Sequence, residues 1–467
     1  MMTSIVWIRK DLRLHDNPGL YHAAEAGKVL PVYIFDEDEK IGAAQKWFLH
    51  HALESFQKRL DSAGGKLFIA KGNPEKILNH LIKEYEITSI HWNRQYEPSV
   101  FNRDREIGEA LHDQGLDVNT YEGRLLLPPW DVKKKDGEPY KVFTPFYKAL
   151  QKHEVPQALP SVKKVDPVSF KKKDSLSLDD LELLPEIDWT GGMEKRWTPS
   201  EEAAVRRFQA FMDKKLKVYK KERDFPAAEV SSALSPYFAL GLLSARSVYH
   251  SIKKNAEAAG EPFIRQLVWR DFAYSLITHF PETETDPMND QFKDFKWMNE
   301  KNQFAAWKKG KTGFPIVDAG MRELWSTGYM HNRVRMIVGS FLTKDLLIHW
   351  REGADWFDDT LVDADVANNV MGWQWVAGSG ADASPFFRIF NPTTQSEKFD
   401  PDGDYIKKWV PELKTMPAKH IHDPSGAPDD VLEEAGIVIG EDYPEPVVDH
   451  KAARQRALDR YDDVKKS

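Results

Sequence analysis

The stretch Asp363-Ala-Asp-Val-Ala-Asn-Asn-Val-Met-Gly-Trp-Gln-Trp375 packs two carboxylates, two amides and two indoles into little more than three helical turns. Few core helices carry that mixture. Closely spaced carboxylates and amides suit a buried polar ligand with hydroxyls and ring nitrogens, and the neighbouring indoles offer stacking surface or one-electron chemistry. Two further segments belong to the same reading, Gly328-Tyr-Met-His-Asn-Arg-Val-Arg-Met336 and Ser384-Pro-Phe-Phe-Arg-Ile-Phe-Asn-Pro-Thr-Thr394. Taken singly, each short piece reads as an ordinary packed helix or turn.

The elements that must position these residues fall into two kinds. Short β-rich runs at Ile5 to Ile8, Val29 to Phe35, Lys66 to Ala70, Thr88 to Trp92 and Asp117 to Tyr121 alternate with helical stretches at Ala44 to Asp61, Pro74 to Glu86 and Asn102 to Gln114. Such alternation predicts a Rossmann-like parallel five-stranded sheet with helices on both faces, an α/β N-terminal domain over residues 1–126. Ligands of such sheets lie at the carboxyl ends of the strands, so Arg9, Asp36 and Asn93-Arg-Gln-Tyr-Glu97 border any pocket there. From about Leu127 to Trp197 the chain turns to Pro, Lys and Asp with two Lys triplets, and reads as an interdomain linker over 127–197. Beyond Pro199 the pattern is helical almost to the end, an all-α C-terminal domain over 198–467.

Composition bounds the function classes. At 467 residues with 41% apolar and 30% charged residues, the chain suits two soluble domains, each with its own core. No apolar run approaches the roughly 18 residues of a membrane helix, and Met1-Met-Thr-Ser lacks the features of a signal peptide. Without cysteine there are no disulfides or thiolate metal sites, which suggests a cytoplasmic bacterial protein. A net charge of −8 argues against nucleic acid as a partner, but a groove needs only local sign. Arg223, Arg265, Arg270, Arg333, Arg335 and Arg388 fall beside aromatic residues, a combination suited to phosphates and unstacked bases. For any single one, a solvated helix face or an internal ion pair is the plainer reading.

Read together, the segments resemble the flavin-binding core of the photolyase/cryptochrome family, and most of all its bacterial class I cyclobutane pyrimidine dimer (CPD) photolyases. The resemblance runs from Ile5-Val-Trp-Ile-Arg-Lys-Asp-Leu-Arg-Leu-His-Asp-Asn17 to Val448-Asp-His-Lys-Ala-Ala-Arg454. It implies that the helical domain binds FAD, reduced in the active form. Tyr219-Lys-Lys-Glu-Arg-Asp-Phe-Pro226 followed by Ser231, Ser232, Ala233, Leu234 and Ser235 resembles the family's phosphate-binding entry, where serine hydroxyls and backbone N–H groups hold a diphosphate. An ordinary N-cap at Ser235 before Pro236 would use the same residues, and the family's Gly before the cluster is Val230 here. Matching positions put Phe263, Arg270, Arg335, Asp363, Ala364 and Asp365 around the cofactor, with Asn369 facing the flavin N5. Arg335 and Asp363 would otherwise read as a structural ion pair. Trp373, Trp350 and Trp297 match the family's electron relay, although among 15 tryptophans any one taken blindly is core packing.

The same resemblance assigns a DNA lesion pocket. Phe263-Ile-Arg-Gln-Leu-Val-Trp-Arg-Asp-Phe272 resembles the helix lining it, with Trp269 as stacking platform and Gln266 where CPD photolyases usually carry Glu. Glutamine keeps reach and hydrogen-bonding capacity but loses the ionisable proton. That Gln also occurs in the (6-4) photolyases, yet Asn332 and Met336 stand where those enzymes carry two histidines, which favours cyclobutane dimers. Arg223, Arg333, Gln395 and Lys398 would hold phosphates or the opposite strand without reading sequence. The implied partner is UV-damaged DNA, bound by a monomer without membrane association, and the implied activity is a light-driven carbon–carbon lyase. A cryptochrome-type photoreceptor is the rival reading, weighed against the complete lesion pocket and the lack of a long tail after the last helical segment. Ile41-Gly-Ala-Ala-Gln-Lys-Trp-Phe-Leu-His-His51 and Glu97 resemble the version of the N-terminal domain that binds methenyltetrahydrofolate as antenna, with deazaflavin an alternative on the same fold.

Other motifs fail on spacing. Gly310-Lys-Thr312 ends like a P-loop but has Ala305 where the earlier glycine belongs, Gly378-Ser-Gly380 is half a nucleophile elbow, and no His pair has metal-ligand spacing.

Overall fold

A computed structural model describes residues 2–466. They form two compact units, one of residues 2–217, 232–281 and 362–365, the other of residues 218–231, 282–361 and 366–466. Packing thus groups the chain differently from the divisions at 126 and 197, since the long helix Ala245–His279 packs with the first unit.

The first unit is built on parallel strands β1 (Met2–Ile8), β2 (Gly27–Phe35), β3 (Phe68–Lys71), β4 (Ser89–Asn93) and β5 (Asp117–Tyr121), in the order β3-β2-β1-β4-β5. Strands β1 and β2 are near-continuous apolar runs because helices cover both faces and leave no polar side to alternate with, whereas β4, Ser89-Ile-His-Trp-Asn93, alternates polar and apolar residues that are all buried. Ile5, Trp7, Leu30, Val32, Phe68, Ile90, Trp92 and Leu111 form their core. The helices start where their sequences direct. Asn17 before Pro18 accepts from Leu20 N at the head of Pro18–Ala26, and Asn73 before Pro74 does the same from Lys76 N at the head of Pro74–Glu84. Strand order reverses between β1 and β4, the point at which sheets of this kind generally bind ligands beyond their carboxyl ends.

The stretch read as an interdomain linker carries structure of its own. Asp166–Pro167 forms a two-residue strand, β6, which pairs in parallel with Lys28 and Val29 of β2 where β3 does not reach. Helix Phe143–Leu150 buries Phe143, Phe146, Tyr147 and Leu150, an i, i+3, i+4, i+7 stripe that the surrounding Pro and Lys residues obscure. The segment read as an interdomain linker thus contains short regular elements.

The second unit is helical, as the pattern beyond residue 199 predicts. Its elements include Pro315–Thr327, Asn332–Ser340, Trp350–Thr360, Val366–Ala377, Pro392–Phe399 and His450–Lys466. Gly328, at φ +66°, ends the first of these in the left-handed conformation that glycine adopts without penalty. His331 and His349 act as N-caps, each accepting on Nδ1 from the backbone N–H two residues on.

Candidate functional site

In the first unit, residues distant in sequence converge on Asp365. Its carboxylate accepts from the Tyr274 hydroxyl and lies 3.1 Å from the Arg124 guanidinium. Arg124 donates through Nε to Tyr274 at 2.8 Å and stands 3.7 Å from Glu97, which Lys10 also meets at 2.6 Å. Arg270 donates to the Arg124 carbonyl at 2.8 Å, and Gln45 Nε2 donates to the Ala364 carbonyl at 2.6 Å. Burial alone would raise the Asp365 carboxyl, but Arg124, Arg270 and the Tyr274 hydroxyl hold it below its ordinary value. Glu97 follows the same logic, burial being outweighed by Lys10 and Arg124. Asp271, buried on the same helix as Tyr274, is pushed up to about 7, by burial above all and with Glu122 adding to it against Arg270.

Glu97, the residue named for the antenna, is 4% exposed, and its carboxylate is held by Lys10 and Arg124. A cavity of about 50 Å³ at the ends of β1 and β2 is lined by Arg9 and Asp36, as expected, together with Trp7, Lys10, Tyr33 and Gln45, but by no residue of Asn93 to Glu97. Arg124 and Tyr274 were not foreseen, because their partners lie far off in the chain and no local pattern marks them, and Gln45, within the Ile41 to His51 segment, was not foreseen as a partner of Ala364.

The serine segment is more angular than a simple helix start. Helix Ser235–Ala239 has only five residues, Ser235 is exposed within it rather than capping it, and Leu234 occupies the cap without a side-chain bond. Glu229 and Ala233 both adopt left-handed φ near +50°, a conformation that costs such residues of order 1 kcal/mol or more and that marks functional loops. Ser231 and Ser232 are half-buried between them, Ser232 Oγ accepting from Leu234 N at 3.4 Å. Of the neighbouring candidates, Tyr219 is buried beneath the Arg223 guanidinium, and Phe263 is a core ring packed 4.7 Å from Phe211.

In the second unit, Asn369 donates both amide hydrogens to helix Trp350–Thr360, at 3.0 Å to the Ala354 carbonyl and 2.6 Å to Asp358 Oδ1. Arg335 donates through Nε to the Met330 carbonyl and stacks 5.2 Å over Tyr329. Trp373 is buried, its ring pressed so closely on Gly353 that no Cβ fits there. The rings next to it are Phe357 at 5.0 Å and Trp307 at 6.2 Å, while Trp350 stacks on His349 at 5.6 Å and His349 meets Trp297 at 5.1 Å. Trp297 is half-exposed. Of the expected relay residues, the partly exposed Trp297 connects through His349 to the buried Trp350, while the buried Trp373 has Phe357 and Trp307 as its ring neighbours.

The lesion candidates are more open. In the first unit Gln266 and Trp269, one turn apart on helix Ala245–His279, are both half-buried. Gln266 Nε2 donates to the Pro262 carbonyl at 3.2 Å. One face of Trp269 is covered by Phe143, 3.6 Å away and nearly parallel, with Arg265 over Phe143 at 5.2 Å. In the second unit Asn332 is exposed and its amide points to Met336 Sδ at 3.9 Å. Arg333 pairs with Asp224 at 3.1 Å and stacks over Phe399, whose neighbour Lys398 is exposed and Gln395 half-buried. His331 is buried and its imidazole lowered to about 4, burial outweighing Asp224. Of the six basic candidates, Arg223, Arg265, Arg270, Arg333 and Arg335 lie over aromatic rings, and Arg388 is exposed. Among the described residues no group of three or more His, Asp or Glu side chains is disposed to hold a metal ion, and no helix is long and apolar enough to cross a membrane.

Residues 4–163 match the family described as DNA photolyase, and residues 263–463 that described as the FAD binding domain of DNA photolyase. A deoxyribodipyrimidine photo-lyase of Agrobacterium fabrum is 48% identical over 99% of this chain and 98% of its own. Cryptochrome-2 of Arabidopsis thaliana is 34% identical over 97% of this chain and 77% of its own. The crystal structure of a bacterial class III photolyase from Agrobacterium tumefaciens superposes with a TM-score of 0.97 at 47% identity, covering 100% of this chain and 98% of that one. That neighbour is described as class III, so the expected placement in class I is not carried forward.

Proposed function

The chain belongs to the DNA photolyase family, and from that premise we propose that it is a light-dependent DNA repair lyase that splits cyclobutane pyrimidine dimers in UV-damaged DNA. The observation that carries the reading is the helix face of Gln266 and Trp269, a half-buried indole backed on one side by Phe143 with a hydrogen-bonding amide one turn away. A flipped dimer can stack on that indole, and base–aromatic stacking contributes roughly 1–3 kcal/mol per base. Gln266 would hydrogen-bond a base carbonyl. Arg223, Arg333, Gln395 and Lys398 would hold phosphates whatever the sequence. Residues 1–126 would serve as antenna-binding domain and 198–467 as catalytic domain.

The polar set fits FAD. Serine hydroxyls in a bent, half-exposed segment suit a diphosphate, Asp363 is a buried carboxylate suited to the flavin and ribityl side, and Asn369 keeps an oxygen unused by helix Trp350–Thr360. Tyr219, Ser231 to Ser235, Arg270, Arg335, Asp363 and Asp365 would hold it. When bound, reduced FAD supplies, on absorbing blue or near-ultraviolet light, the electron that splits the dimer and is then returned. Trp297, Trp350 and Trp373 would pass electrons inward to restore the reduced cofactor. The (6-4) alternative lacks its acid, since Asn332 and Met336 do not titrate and His331, lowered to about 4, is neutral at physiological pH. The protein would act as a cytoplasmic monomer with methenyltetrahydrofolate as antenna, carried by the Ile41 to His51 segment together with Glu97. The test is repair of defined oligonucleotides bearing either lesion, in light and darkness. Repair of cyclobutane dimers in light alone is expected, repair of only the (6-4) product reverses the substrate, and lesion binding without repair favours a photoreceptor.

A further inference from the structure

We propose that Asp358 is a positioning residue for Asn369, fixing the amide so that only its oxygen is available to the flavin N5 and the protonated N5 is the form held. This rests on the flavin reading of Asn369 given above. A free asparagine beside a ring nitrogen can turn either end toward it, donating to a bare nitrogen or accepting from a protonated one. Here the choice is made by the protein. Ala354 and Asp358 lie one turn apart on the same face of helix Trp350–Thr360, and each presents an oxygen that only accepts. Together they take both hydrogens of the one NH2 group, at 3.0 and 2.6 Å. Turning the amide over forfeits both bonds and sets oxygen against two oxygens. Oδ1 takes no hydrogen bond from any described residue, so it is the group left to serve a ligand.

An amide so fixed can accept from N5–H and cannot donate to bare N5. It therefore favours reduction that brings a proton to N5 over the oxidised state. An ionised Asp358 would also act on the flavin potential through space, and the test must separate charge from clamp. Asp358→Asn and Asp358→Leu both remove the charge at similar size, and only the asparagine keeps an acceptor for the Asn369 amide.

The experiment is a reductive titration of the FAD-loaded protein against reference dyes, reading the midpoint of the first electron. Losing one neutral hydrogen bond should weaken the preference for the protonated form about fivefold. On a one-electron couple that places Asp358→Leu about 40 mV below Asp358→Asn. Equal midpoints in the two variants, at full FAD content, overturn the proposal. A second measurement needs no variant: the wild-type midpoint should fall by about 59 mV per pH unit, because electron and proton arrive together. A pH-independent midpoint overturns the proposal as well. Failure of the wild-type chain to take up FAD would instead remove the flavin reading on which it rests.

Discussion

Two regions of the first unit treat polar groups in opposite ways. Around Asp365 every charge is answered: Arg124, Lys10, Glu97 and Tyr274 are tied to one another and mostly withdrawn from water. On the face of Gln266 and Trp269 the side chains are half-exposed, Gln266 is tied only to its own helix, and one side of the indole is already stacked. A closed network is rigid and sensitive to the loss of any member, because a buried charge left alone is costly. An open face leaves its groups to water until a ligand arrives, so changes there should alter binding more than folding. The lesion candidates of the second unit, Asn332 exposed and Arg333 over Phe399, repeat the open pattern above the buried His331.

The contrast breaks first at Arg124. Arg124→Ala strands Glu97 and Asp365 as buried carboxylates without their guanidinium, and should cost about 3–5 kcal/mol in denaturant unfolding along with the bound FAD. A loss below about 1 kcal/mol would show that the network is not the closed structure described.

His331 gives the next largest effect, through pH. Its proton affinity is depressed from the ordinary histidine value to about 4 in the folded chain, so between roughly pH 6.5 and 4 the unfolded state binds the extra proton. Stability should be full above pH 6.5 and fall as pH drops through this window, by about 3 kcal/mol if nothing else titrates. His331→Gln should flatten that part of the curve. An unchanged slope in the variant would show that His331 titrates as it does in water.

At the open face, Trp269→Ala should weaken binding of dimer-bearing oligonucleotide by roughly 1–3 kcal/mol while binding of undamaged DNA and unfolding midpoint shift little. Equal losses for damaged and undamaged DNA would mean that the indole is not the platform. Smaller still is the effect at Gln266. Gln266→Glu should retain light-dependent repair, whereas Gln266→Ala should lose about 1 kcal/mol of lesion binding by leaving a base carbonyl unpaired. Indistinguishable glutamate, alanine and wild-type proteins in the binding and repair assays would remove Gln266 from the site.

Much was legible along the chain. Apolar runs with no polar side identify buried parallel strands, since helices on both faces leave nothing for water to touch. Asn17-Pro18 and Asn73-Pro74 mark helix starts because an amide side chain and a missing N–H suit the first turn. The cluster from Asp363 to Trp375 announced cofactor chemistry by residue type alone. Tertiary structure decided the rest. Arg124 reaches Asp365 across 241 residues and Asn93 meets Asp11 across 82, separations that no periodicity encodes. Glu97 reads along the chain as a residue at the sheet's carboxyl edge, and only the fold pairs it with Lys10 and Arg124. Asp358 was not singled out along the chain, and the packing of helices Trp350–Thr360 and Val366–Ala377 makes it a partner of Asn369. Residue type determines what a group is able to do, and its hydrogen-bond partners, supplied by distant parts of the chain, decide which of those things remains open to it.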